Sequence, residues 1–130
     1  MTIPDSHRDL LESAVATFAT IDPNGRPQQT VVWFYADGDS VSISLNETRQ
    51  KVKNLRARPA CSLLIIDPKN SQRYLELRGD AEIEPDDDYA FAAKVGQKYD
   101  TDVRGYDAPG TKRVQVRIVP SKVNAADLSG

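Results

Sequence analysis

The run Ser40-Val41-Ser42-Ile43-Ser44-Leu45 alternates without a break, with Val41, Ile43 and Leu45 on one parity and serines on the other. Successive side chains of a strand point to opposite faces, so this pattern fits a half-buried strand and cannot lay one apolar stripe along a helix. Similar β-rich runs surround it. Residues 16–21 and 27–35 are joined by Asp22-Pro23-Asn24-Gly25-Arg26, whose Asn-Gly pair supplies the positive-φ positions of a tight hairpin. Ala36-Asp37-Gly38-Asp39 marks a second hairpin, leading into residues 40–45.

Residues 60–66 are apolar on both parities, as expected of a central strand. Residues 73–83 form a long strand interrupted at Gly79, the position of a bulge or barrel bend. Residues 112–119 make the last strand, with Val114, Val116 and Ile118 inward. Between these lie a leading helix at 7–14 (Leu10, Leu11 and Ala14 apolar), a basic helix after Thr48, and a helix at 86–99 with Tyr89, Ala92, Ala93, Gly96 and Tyr99 spaced for packing. Residues 101–110 read as a loop. Six β segments with hairpin turns predict a mainly β fold, a closed or partly closed antiparallel barrel with peripheral helices. The apolar surface on several strands exceeds what one small barrel needs, which predicts a homodimer.

A chain of 130 residues makes one domain with one sizeable core, here residues 1–130. A net charge of −2 weighs against a dedicated nucleic-acid binder. No apolar run approaches the roughly 20 residues that span a membrane, and Met1-Thr2-Ile3-Pro4-Asp5-Ser6 does not open a signal peptide. One cysteine excludes an internal disulfide and fits a reducing cytoplasm.

Positive charge is concentrated in one place. Arg49, Lys51, Lys53, Arg56 and Arg58 follow one another with no acid between them. Thr48 is a good N-cap for that helix. Cations near a helix N-terminus oppose its dipole, at about 0.3–1 kcal/mol each when exposed. Free N–H groups and basic side chains together suit a phosphate. Val52 and Leu55 form the core-facing stripe, with Arg49 and Lys51 on either side of it. The bland alternative is a solvated basic helix.

Other catalytic equipment is missing. The sole histidine is His7 and the sole cysteine, Cys61, sits in an apolar run as a small core residue. No Ser–His pairing or metal-ligand spacing stands out. Asp86-Asp87-Asp88 follows Pro85, where carboxylates favour a helix start. Any chemistry must therefore come from a bound cofactor.

The run Phe18-Ala19-Thr20-Ile21-Asp22-Pro23-Asn24-Gly25-Arg26-Pro27-Gln28 resembles the opening of the pyridoxamine 5'-phosphate oxidase-like flavin and deazaflavin oxidoreductases. So does Thr48-Arg49-Gln50-Lys51-Val52-Lys53-Asn54-Leu55-Arg56-Ala57-Arg58-Pro59, and the resemblance extends nearly to Leu128. It implies a split β-barrel like that of FMN-binding proteins, a homodimer with cofactor sites in the dimer clefts. The family's Arg-x-Lys pair, which holds the cofactor phosphate, falls on Arg49 and Lys51 beside the helix that Thr48 caps, and Asn54 matches a nearby position. By the same resemblance Gln28, Thr30 and Val32 run along the ring system, Ser44 lies on its other side, and Tyr74 sits where the partner subunit approaches. The chain lacks the C-terminal His-containing segment of true pyridoxamine phosphate oxidases. It looks closer to short members that use coenzyme F420 to reduce quinones, enones or tetrapyrroles, with the proton from solvent or Tyr74. The alternatives are FMN in the same fold, a non-enzymatic flavin or tetrapyrrole binder, and an RNA-associated protein. The F420 tail carboxylates would meet Lys53 and Arg56.

Overall fold

The computed structural model of the protein describes residues 2–129. Seven strands form one antiparallel sheet: β1 (Ala16–Ile21), β2 (Pro27–Val32), β3 (Tyr35–Asp37), β4 (Ser40–Asn46), β5 (Ala60–Asp67), β6 (Asn70–Pro85) and β7 (Arg113–Asp127). Their order is β2-β1-β5-β6-β7-β4-β3, so β2 and β3 are the margins. Two helices, α1 (Gln50–Ala57) and α2 (Ala90–Tyr99), accompany 3-10 turns at Asp5–Glu12 and Val103–Tyr106. No helix among the described residues is long and apolar enough to cross a membrane.

The alternation that opened the sequence reading sets the core. Val41, Ile43 and Leu45 of β4 are buried with Phe18, Leu63, Ile65, Leu75, Leu77, Val114, Val116 and Ile118. Gly79 bends the long β6–β7 pair, where the register jumps from Arg78↔Lys122 to Gly79↔Pro120 and leaves Ser121 extra. A side chain at Gly79 has no room: its Cβ would overlap the Val119 carbonyl and stand 2.8 Å from Pro120 Cα. Pro120 suits the bulge because it has no N–H to give to a ladder.

Several expectations shift. Residues 27–35 do not form one strand; the chain leaves the sheet at Trp33-Phe34 and re-enters as β3 on the opposite margin. The end of α2 satisfies the stranded backbone, since the Phe34 amide donates to Tyr99 Oη (3.0 Å) and Lys98 Nζ donates to the Phe34 carbonyl (2.9 Å). The first hairpin is a wider loop in which Gly25 alone has positive φ, because Asp22 Oδ1 accepts from the amides of Asn24 and Arg26. The leading helix is a 3-10 turn that ends before Ala14, leaving Ala14 exposed while His7 turns inward. In α2, Phe91 and Val95 are buried and Ala93 is exposed, because the helix begins only at Ala90. The carboxylate expected at its start is Asp86, which accepts from the amides of Phe91 and Ala92 at 3.0 and 2.9 Å. β5 is covered on one face: Cys61, Leu63 and Ile65 are buried, whereas Ile66 is exposed.

Candidate functional site

β2 and β4 lie near opposite margins of the sheet, yet Val31, Val32 and Trp33 share a cleft of about 370 Å³ with Ile43, Ser44, Leu45 and Asn46. The cleft thus follows the seam where the curled sheet stops short of closing. Arg49, Lys51 and Arg113 also line it. A second cleft of about 290 Å³ shares Trp33, Ser44 and Arg113 with the first and continues to Val95, Val103 and Tyr106. A larger depression of about 590 Å³ along α2, from Asp88 to Arg104, contains none of the residues expected from the sequence to hold a cofactor.

Lys51 is the unusual group. It is only 5 % exposed, and its ammonium opens to the cleft, where it makes no ion pair or hydrogen bond among the described residues. Burial lowers its pKa from the usual lysine value, and the nearby charge of Arg49 lowers it further. A cation held in a mostly buried side chain without a protein partner gives the cleft a free positive charge. Arg49 is exposed at the N-cap position of α1.

Thr48 does not cap this helix. Asn46 Oδ1 accepts from both the Thr48 amide and hydroxyl at 2.9 Å, an Asx turn that uses up the Thr48 side chain. Arg49 therefore becomes the N-cap, and no side chain bonds the helix start.

Asn54 and Gln28 are brought together by bonding each other. Asn54 Nδ2 donates to Gln28 Oε1 (2.9 Å) and Thr20 Oγ1 (3.0 Å), while Gln50 Nε2 donates to Asn54 Oδ1 (2.8 Å). These contacts tie α1 across β1 and β2 and fix the direction of its basic end. On the same face as Gln28, Thr30 Oγ1 is buried without a hydrogen-bond partner among the described residues. Val32 and Ser44 line the cleft; Thr48 lines neither cleft. Tyr74 is elsewhere, on the outer face of the sheet, paired with Ile66 and Ala126.

Sequence reasoning missed Trp33, Tyr106, Asp107 and Arg113. The Trp33 ring stacks on Tyr99 (centroids 4.3 Å apart, planes 6° apart), and Tyr106 meets it edge-on at 6.3 Å. Arg113 forms a two-point pair with Asp107, Nε to Oδ2 and Nη2 to Oδ1, each 2.8 Å. That guanidinium holds the Asp107 carboxyl below the usual aspartate range. A lone tryptophan beside a strand was the only available signal, because the Arg113 pairing depends on loop geometry. A Ser–His contact also exists, contrary to expectation: Ser6 Oγ lies 2.8 Å from His7 Nδ1. The Ala126 carbonyl engages His7 Nε2 at 2.9 Å, so the ring pins the chain start to β7.

A mainly β, curled antiparallel half-barrel is the split-barrel class of fold. The chain belongs to the pyridoxamine 5'-phosphate oxidase family, whose profile matches residues 3–126. It is similar to a solved structure named F420 reductase, with 35% identity and a TM-score of 0.83 over 94% of this chain and 98% of that one. A conserved hypothetical protein from Mycobacterium tuberculosis is 28% identical, with a TM-score of 0.79 over 98% and 86% of the two chains. A putative pyridoxamine 5'-phosphate oxidase from Listeria innocua shares the fold at 22% identity, with a TM-score of 0.73 over 93% and 95%.

Proposed function

We propose that the chain is an oxidoreductase that binds coenzyme F420 in the seam cleft and reduces an electron-poor double bond of an apolar substrate. The observation that carries this reading is Lys51, whose largely buried side chain brings an ammonium with no partner among the described residues to a cleft with apolar walls, beside Arg49. The likeness to an F420 reductase supports the deazaflavin over FMN, which remains the alternative in the same cleft. The residues suit such a group: an anion would complete Lys51, and Thr30 Oγ1 has hydrogen-bonding capacity left over.

When bound, reduced F420 supplies a hydride, and a separate proton completes the saturation of the double bond. Arg49 and Lys51 would hold the phosphate, and Val32 and Leu45 would keep water from the ring. Asn54 and Gln28 act through position, by holding α1 against the sheet. The reading needs no nucleophile from the chain, and solvent delivers the proton. Tyr74 serves a second copy of the chain instead, in an outer apolar strip with Val31, Leu64 and Ile66 that the homodimer buries.

The test is the double substitution Arg49→Ala with Lys51→Ala. It should weaken F420 binding at least tenfold, about 1.4 kcal/mol, with an unchanged circular dichroism spectrum. Unchanged affinity in a folded variant would remove the phosphate assignment.

A further inference from the structure

The two connected clefts differ in charge. At one end Lys51 has no counter-ion among the described residues; at the other Arg113 is already neutralised. The Asp107 carboxylate, its side chain only 7 % exposed, takes two bonds from Arg113 and a third from the Tyr89 hydroxyl at 2.7 Å. Arg113 Nη1 donates to Ser44 Oγ at 3.2 Å, which fixes the guanidinium plane at the wall shared by both clefts. A two-point carboxylate pair leaves Arg with N–H donors for a neutral oxygen but little net charge for an anion.

The remaining walls are Trp33, Tyr106, Val95 and Val103. Trp33 has one face covered by Tyr99 and is still 40 % exposed, which leaves a flat surface for a flat ligand. At about 290 Å³ the cleft is near the bottom of the range for small-molecule sites, roughly 300–1,000 Å³. It has room for one or two fused rings and is too small for a tetrapyrrole.

We propose that Asp107 sets the charge selectivity of this second cleft, which receives an uncharged planar carbonyl compound of one or two rings. That this compound is the hydride acceptor rests on the F420 reading; that it binds does not. Asp107 is a positioning residue, acting through Arg113.

Trp33 is the only tryptophan and lines both clefts, so its emission reports binding in either, and Tyr106, which lines only the second, tells them apart. The probes are acetonaphthone and naphthoate, which share their rings and differ in charge, titrated by calorimetry with Trp33 emission followed in parallel. The background is Arg49→Ala/Lys51→Ala, which removes the other anion site. Acetonaphthone should bind at least tenfold more tightly than naphthoate and change Trp33 emission, and Tyr106→Ala should weaken it. Asp107→Asn should release the Arg113 charge and remove or reverse the preference. A preference for naphthoate before Asp107 is changed, an unaltered ratio in a folded Asp107→Asn variant, or binding that leaves Trp33 emission unmoved would each overturn the proposal. If Asp107→Asn does not fold, the ratio with Asp107 intact still decides. Failure of F420 to bind would leave this titration unaffected, so the two readings fail separately.

Discussion

Lys51 sits where a protein selected only for stability would place an apolar side chain. Its folded pKa is below the unfolded value of 10.5, so the unfolded chain binds more protons between the two. The resulting cost is full below the lowered pKa and fades as pH rises toward 10.5. Lys51→Met should therefore stabilise the protein without ligand at neutral pH. Thermal melts across alkaline pH should show that gain shrinking, and a destabilised variant would show that the ammonium has a partner. Cys61 behaves oppositely: burial first, then the charge of Asp80, pushes its thiol up to about 12. It should resist iodoacetamide at pH 8 until the protein unfolds. Cys61→Ala should cost about 1 kcal/mol with F420 affinity unchanged, measured by melts and titration. Arg49 and Lys51 were legible because cations at a helix start conflict with a local rule. Arg113 was not, because its partner is fixed by the 107–113 loop and its neighbour Ser44 by the register of another strand.

At the scale of elements, the alternating strands were legible because burial on one face imposes a period of two. Their ends were not. Trp33-Phe34 continues the β-rich composition of β2, and only Lys98 and Tyr99, more than sixty residues away, make it favourable for the chain to leave the sheet there. The start of α1 was misplaced for a similar reason: Thr48 had the right chemistry for a cap, and Asn46 claimed it first. Gly79 was legible as a bend, although the cause is close approach to β7 and not an unusual φ. Asp86 holds the first amides of α2, and α2 in turn holds Phe34 and the ring of Trp33. Asp86→Ala should lower stability by about 1–2 kcal/mol and shift Trp33 emission toward that of an exposed indole. An unmoved emission spectrum would separate α2 from the cleft.

For the whole molecule, the surplus apolar surface read from the sequence stands on the outer face of the sheet. Val31 is 70 % and Ile66 44 % exposed; Ile66 pairs with Tyr74, and Val31 and Leu64 flank Thr17 on the same face. Exposed apolar side chains of this kind suit the proposed homodimer interface: Ile66→Glu should convert that dimer to a monomer in sedimentation velocity, and a dimer that persists would place the interface elsewhere. The identity of the anion proposed to bind at Lys51 is the central question. Side-by-side calorimetric titration of cofactor-free protein with F420 and FMN answers it most directly. Tighter binding of F420, abolished by Arg49→Ala with Lys51→Ala, is the expected result. Equal or tighter binding of FMN would contradict the deazaflavin assignment, and binding of neither would return the basic helix to a solvated surface.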